Sequence, residues 1–495
     1  MAPYFLRNLV PRREQRQGGQ PLLTVLRHLT WIQWAHCFAG QVPSRSLWLA
    51  WTCDAIDFFS VSLAVTPLAT QFGKSTATIT TSITLTLLFR SAGAAIFGIL
   101  SDRFGRKWPL VFNLILCCIL ELGSGFVQTY KQFLAVRSLY GIVMGGVWGL
   151  AASTALENLP VEARGLASGV VQQGYAVGYL LAAVINLTLV ADTKQGWRTL
   201  FWTAAGLSLF AAAVRAVLPE SEVFLRAKAI EKARGTNTSK KTKIFIRETK
   251  EMLKRHWLLC IYAVLLMTGF NFLSHGSQDL YPTYMEKDKG FSTHDATIAT
   301  IIGNCVSVLG GCIAGWLSQY IGRRLTIVLC VILVAAFIPL WILPSSFSAL
   351  SAGAFCIQFG VQGAWGVIPI QLAEMSPPAF RAFFPGVAYQ LGNMVSSASA
   401  QIEATGGNNI KTILYVDGQP TVVPNYAKVQ GIFIGVVSAF VIIITIIGPE
   451  NHGSHFEKHK TAFEEGGGRD EEAEEVANSP VDSVHDEKRS IRETA

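Results

Sequence analysis

Residues 271–283 read NFLSHGSQDLYPT, directly after the apolar run WLLCIYAVLLMTGF. On a helix, Ser274, His275 and Gln278 fall three, four and seven places after Asn271, with Asp279 one turn beyond His275, so all five share one polar stripe. An aspartate at the centre of a spanning helix costs about 2.5 to 3.5 kcal/mol on insertion scales. Such a stripe is tolerated where it faces a watery cavity or a binding partner. The competing account is a network that glues helices together, yet interhelical polar contacts average well under about 1 to 2 kcal/mol. The stripe offers hydroxyl and amide donors for an anion, and two proton carriers. Histidine titrates near pH 6.5, and a carboxylate moved out of water holds its proton more tightly, so His275 and Asp279 are both candidates for coupling.

An anion entering a low-dielectric cavity needs a cation or several donors. Arg90, in LTLLFRSAGAAIFG, lies about 12 Å along a helix from Gly98 and can grip a carboxylate through two parallel charge-assisted hydrogen bonds. Its alternative use is an ion pair with Asp54 or Asp57, which stand three apart in CDAIDFF. Gln390 and Asn393, in GVAYQLGNM, add amide donors on one face, although an Asn satisfied by a neighbouring helix reads nearly as well. The expected ligand is a small carboxylate accompanied by protons. No nucleophile with an oriented base, metal-ligand spacing or phosphate-cradling loop is visible, so neither an enzyme nor a cofactor or metal is expected.

The elements holding these residues must be membrane spans. Of 495 residues 51% are hydrophobic and only 15% charged, against about 25% charged in soluble domains; mean hydropathy is +0.37. Runs of about 20 apolar residues, enough to cross a bilayer, centre near 58, 90, 118, 142, 177, 208, 268, 305, 333, 360, 392 and 437. The expected fold is therefore an all-α membrane protein of twelve spans. A tail (1–47) precedes six spans (48–218), a basic connection (219–256), six more spans (257–448) and a polar tail (449–495). Basic connections near span ends stay in the cytosol, which puts both termini there. No cleavable signal peptide is expected. The net charge of +8 suits anionic lipid headgroups better than nucleic acid. The nine cysteines read as small core residues, and neither Asn186-Leu-Thr nor Asn237-Thr-Ser is expected to be glycosylated. The last tail is read as disordered, with Lys458 and Lys460 as candidate contacts for trafficking machinery.

GILSDRFGRK from Gly98 has a partner in GWLSQYIGRR from Gly315, 217 residues on. The same shift carries Arg106 to Arg323, GVWG (146–149) to GAWG (363–366), Glu157 to Glu374, Arg164 to Arg381 and Gln173 to Gln390. Duplication into two six-span halves with a central pathway follows. Asp102, Arg103, Arg106, Lys107, Arg137, Glu157, Arg164, Glu374 and Arg381 are read as a gating charge network at the cytosolic mouth that forms and breaks as the halves rock. The plainer alternative is that these charges only set topology. Gln319 replaces Asp102 in the second copy, so a weaker network is expected there. Arg137 and Asn393 depart from the repeat, their mates being Ala354 and Ala176.

Gly98-Ile-Leu-Ser-Asp102-Arg103-Phe-Gly105-Arg106-Lys107 resembles the loop between the second and third helices of the major facilitator superfamily. Asn271-x-x-Ser274-His275-x-Ser277-Gln278-Asp279-x-x-x-Thr283 resembles the seventh-helix pattern of the fungal Jen-type carboxylate:proton symporters, in the sialate:proton symporter group. This resemblance implies proton-driven uptake of lactate, pyruvate or similar acids at the plasma membrane; some relatives prefer dicarboxylates. The Asp54 and Asp57 pair is similar to that of proton-coupled organic-anion carriers. Leu218-Pro219-Glu220-Ser221 is similar to sugar porters, but the expected Pro-Arg is replaced by Glu222-Val223, and the Gly-Pro motif of drug:proton antiporters is missing from GVVQQGYAVGYLLAA. Another organic anion, a sugar, or a sensor that binds carboxylate without moving it remain the alternatives.

Overall fold

In the computed structural model the described residues are 42–104, 107–148, 164–217, 238–380, 383–416, 419–451 and 467–469. The apolar runs are helical, because backbone polar groups in hydrocarbon must be satisfied within the segment itself unless a barrel closes. The first half holds α1 (Val42–Phe72), α2 (Thr76–Phe104), α3 (Lys107–Phe126), α4 (Tyr130–Met144), α5 (Arg164–Ile185, prolonged by a π-turn) and α6 (Arg198–Val217). Helix α7 (Thr238–Arg255) lies in the basic connection. The second half holds α8 (Trp257–Gln278), short α9 (Tyr281–Lys287), α10 (Thr293–Ile321), α11 (Arg323–Ile342), α12 (Phe347–Met375), α13 (Phe383–Ser396), α14 (Ser399–Asn409) and α15 (Tyr426–Ile447).

Ten spans among the described residues are long and apolar enough to cross a membrane. The remaining expected positions, near 142 and 392, are also helical, as α4 and α13, with 15 and 14 residues. Shifting by 217 carries α2 onto α10 residue for residue, and the start of α4 at Tyr130 onto the start of α12 at Phe347. The register lapses beyond α14. There an antiparallel hairpin, β1 (Lys411–Val416) and β2 (Gln419–Pro424), pairs Lys411 with Pro424 and delays α15. Asp417-Gly418 between the strands is a turn signal the all-helical expectation passed over. Most of both expected tails lies outside the described residues, and the eight described cysteines are free.

The halves meet on both faces. Towards the GILSDRFGRK side, α5 packs on α10 and α12. Small residues permit this approach: a Cβ at Gly315 would stand 2.5 Å from the Gly165 carbonyl oxygen and 3.0 Å from the Gly169 Cα. Ser168 Oγ donates to the Gly366 carbonyl at 2.8 Å and accepts from the Ile370 N–H at 3.2 Å. On the opposite face Thr66 donates to Glu286 at 2.7 Å, Thr80 to Gln401 at 3.0 Å and Asn186 to Thr297 at 3.1 Å.

Gly315→Val overpacks the α5–α10 contact, by roughly 1 to 3 kcal/mol. Transport is expected to fall about tenfold or more with the protein still in the membrane. A cysteine pair at Ser168 and Ile370 should cross-link readily in the parent and poorly in the variant; equal cross-linking would contradict the close approach.

Candidate functional site

A broken helix positions the stripe. Pro282 has no N–H to donate to the Gln278 carbonyl four residues back. Helix α8 accordingly stops at Gln278, α9 restarts at Tyr281, and the freed carbonyl accepts the Tyr179 hydroxyl of α5 at 3.2 Å. Asn271, Ser274, His275, Gln278 and Asp279 are all buried. His275 Nδ1 lies 3.1 Å from Asp279 Oδ2, and its Nε2 lies 3.3 Å from Asn393 Oδ1 of α13. Asn393 donates to Gln390 Oε1 at 3.1 Å, and Gln390 donates to the Gly145 carbonyl of the other half at 3.1 Å. Gln278 accepts from Ser274 Oγ at 3.2 Å and donates to Gln358 Oε1 at 2.7 Å. Asn271 bonds the Met267 carbonyl at 2.9 Å and the Tyr389 carbonyl at 3.4 Å. Asp279, His275, Asn393 and Gln390 thus form one hydrogen-bonded chain, and Ser274, Gln278 and Gln358 a second, the latter beside a cavity of about 10 Å³, room for about one water, whose walls include Gln278, Gln358, Tyr281 and Asn304.

Facing it, Arg90 of α2 is 0% exposed. Its Nη2 stands 3.7 Å from Asp54 Oδ2 and 2.6 Å from the Met144 sulfur. Its Nε and Nη1 make no hydrogen bond of ordinary geometry among the described residues, although the Tyr389 hydroxyl lies beside the guanidinium. Phe58 bridges the halves, with Arg90 5.4 Å from its ring centroid and the His275 ring 5.5 Å away, edge-on. Trp148 and Trp365, mates in the repeat, both pack on Tyr389, at 4.3 Å and 5.8 Å between centroids. One loosely paired cation, several amides and a His–Asp pair therefore converge, a set able to hold a small anion and to carry a proton.

Arg137 corrects an expectation. It is the eighth residue of α4, two turns from the end that joins α3, and so lies away from the GILSDRFGRK face. It pairs with Asp57 at 2.5 Å, both side chains fully buried, under the rings of Tyr140 and Phe201. Asp54 and Asp57 are each engaged by an arginine. On the GILSDRFGRK face Arg323 is the hub: it donates to both Glu374 oxygens at 3.1 Å, to Ser318 at 2.8 Å and to Gln319 at 2.9 Å. Gln319 thus joins this network. Glu450, beyond α15, accepts the backbone N–H of Arg323 and of Arg324 at 2.9 Å and 3.0 Å; burial pushes its carboxyl up against the pull of those donors. Lys107 and Arg164 are described, Arg164 buried. Arg106, Glu157 and Arg381, with the side chains of Asp102 and Arg103, lie outside the described residues, so the first copy of the network does too.

Two buried carboxyls escaped sequence reasoning. Glu121 of α3 is fully buried and accepts from Ser208 at 2.9 Å; Glu403 of α14 is fully buried beside Gln430. The signal was present in both cases: a lone acid inside an apolar run.

A family model described as sugar (and other) transporter matches residues 49–463. The chain belongs to that family. It is a multi-pass membrane transporter of the major facilitator superfamily, not an enzyme. The carboxylic acid transporter protein homolog of Saccharomyces cerevisiae is 36% identical over 437 residues, 86% of this chain and 69% of that protein. A probable 4-methylmuconolactone transporter of Cupriavidus pinatubonensis is 26% identical over 431 residues, 85% and 90% of the two chains. The xylose transporter XylE from E. coli, in a partially occluded inward open conformation, superposes with TM-score 0.64 at 18% identity, covering 85% of this chain and 100% of that one.

In this transporter Asp57→Asn strands the Arg137 charge in a dry interior. Stability is expected to drop by about 3 to 5 kcal/mol, read as a lower unfolding temperature in detergent. Asp57→Asn combined with Arg137→Met should regain most of it, and no regain would show that the pair is not the relevant contact.

Proposed function

We propose that the transporter is a proton-coupled symporter importing short-chain carboxylates such as lactate and pyruvate across the plasma membrane by alternating access, with both termini cytosolic. The observation that carries this reading is Arg90: a wholly buried guanidinium with two donors unengaged among the described residues, separated only by Phe58 from a histidine. A carboxylate docking on Nε and Nη1 would complete both the charge and the hydrogen bonds of Arg90. The similarity to transporters named for a carboxylic acid and for a methylmuconolactone supports an organic acid as cargo.

Substrate binding and proton binding favour one another in this scheme. Protonation of the His275–Asp279 pair, taken as a unit, adds positive or removes negative charge beside the anion. Asn393 hydrogen-bonds His275 and, through Gln390, is linked to the other half, so the state of the imidazole reaches the interface that must open. On the cytosolic side the halves are held by Ser168 of α5, which bonds the Gly366 carbonyl and the Ile370 N–H of α12, while the bidentate Arg323–Glu374 pair braces the second half internally. Glu286 and Gln401 tie the halves on the outer face.

Labelled lactate, pyruvate, succinate and acetate should be offered to cells lacking other carriers, with and without a protonophore. Uptake of the monocarboxylates that collapses with the protonophore is expected; binding without uptake would mean a sensor instead. Arg90→Ala should raise the lactate KM roughly 30-fold or more, in line with the 2 to 5 kcal/mol lost when one partner of a buried charge pair is removed. His275→Ala should flatten the dependence of uptake on pH, and an unaltered profile would exclude His275 as the coupling residue.

A further inference from the structure

Helix α14 buries a carboxyl that the reading above leaves without a task. Glu403 is 0% exposed and meets only neutral donors: the Gln430 amide of α15 reaches Oε2 at 2.9 Å, and the Ser399 hydroxyl stands 3.5 Å from Oε1. Among the described residues these two are its side-chain hydrogen bonds, and no ion pair includes it. A buried carboxylate without a cation is costly, and a proton is the one compensating charge that such surroundings admit.

Its neighbours define a direction. Helix α14 packs against α8, which Asp279 caps, and against α15, which supplies Gln430 and Tyr426, the hydroxyl of the latter bonding Asn408 Oδ1 at 3.4 Å. The packed part of α2 supplies Thr80, bonded to Gln401, and no ionisable residue from Thr76 to Phe89; β2 supplies none. Asn393, which touches His275, lies ten residues earlier, across the break between α13 and α14. Beyond Glu403, α14 runs to the face opposite GILSDRFGRK. Glu403, Asp279, His275 and Asn393 therefore form a succession from that face to the middle of the molecule.

We propose that Glu403 is a further proton-binding residue, which passes a proton to Asp279 and His275 from the outer face. The acid form of Glu403 gives its proton to the Asp279 carboxylate, and the Glu403 carboxylate so formed takes up another from water at the outer mouth. This role rests on the proton-coupled reading above. It gives the α13–α14 break a purpose: the inner segment carries the amides of the anion site and the outer one the proton donor, as discontinuous helices do where substrate and coupling ion meet.

The test uses the full chain in proteoliposomes. Glu403→Gln keeps the shape and hydrogen-bonding reach of the side chain but cannot ionise. The parent is assayed first, for exchange of labelled against unlabelled lactate at equal pH and for accumulation under an inward proton gradient; no exchange in the parent would sink the carboxylate reading itself. With parent exchange and accumulation established, Glu403→Gln is expected to exchange at the parent's rate. Its accumulation should fall roughly tenfold under a gradient of one pH unit, the share one proton contributes. A Glu403→Gln protein that accumulates lactate as the parent does, with the same pH profile, overturns the proposal and leaves Glu403 a structural tie between α14 and α15. Where Glu403→Gln fails to assemble, Glu403→Asp retains an ionisable group: accumulation with a displaced pH profile is expected, and an identical profile overturns the proposal as well.

Discussion

The contact on which the rest depends is the cluster of Arg90, Phe58 and His275 across the junction of the two halves. Two groups able to carry positive charge lie against one aromatic ring, in an interior where an uncompensated cation is costly. Asp54 compensates Arg90 only loosely, at 3.7 Å, whereas Asp57 holds Arg137 at 2.5 Å. The tight pair is a fixture of the first bundle. The loose one leaves Arg90 with two nitrogens, Nε and Nη1, that make no hydrogen bond of ordinary geometry among the described residues.

Duplication explains why the charges sit where they do. Phe58 and His275 are mates under the 217-residue shift, as are Asp54 and Asn271, and Asp57 and Ser274. The ancestral position on the first helix of each half therefore faces its copy across the pseudo-symmetry axis, and the two copies have diverged. The first half has carboxylates there, which its arginines on α2 and α4 balance; the second has an amide and a hydroxyl, with His275 and Asp279 further along. A symmetric scaffold thus holds an asymmetric site, with fixed charge on one side and adjustable charge on the other.

The helices, the repeat and the polar stripe were legible in the sequence because each is a local pattern: an apolar run, a constant offset, a helical spacing. The pairing of Arg90 with Asp54 was legible as one of two options, since only Asp54 and Asp57 were at hand. Arg137 was misread because its partner is 80 residues away and the direction of α4, not the spacing, decides which face it reaches. Phe58 was invisible as a functional residue, since an aromatic in an apolar run carries no signal of its own. Glu121 and Glu403 are different: in CCILELGSGF and SAQIEATGG each is a single acid amid small and apolar residues, and the reasoning applied to Asp279 holds for both.

Broken helices connect these observations. Pro282 interrupts the helix carrying His275, and the turn at 397–398 interrupts the one carrying Asn393, so the two strongest polar segments of the second half are also its two discontinuous ones. Outer segments α9 and α14 carry Glu286 and Gln401, which bond Thr66 and Thr80 of the first half, while the inner segments α8 and α13 carry His275 and Asn393. A break lets an outer segment tilt away without dragging the site with it, because the hydrogen bonds that would transmit the bend are absent at the break. Opening of the outer face is thereby separable from occupancy of the centre. The inner face lacks such breaks among the described residues, and its contacts between the halves are glycine backbones in apposition and the Ser168 bonds to α12, which can part only by movement of whole helices.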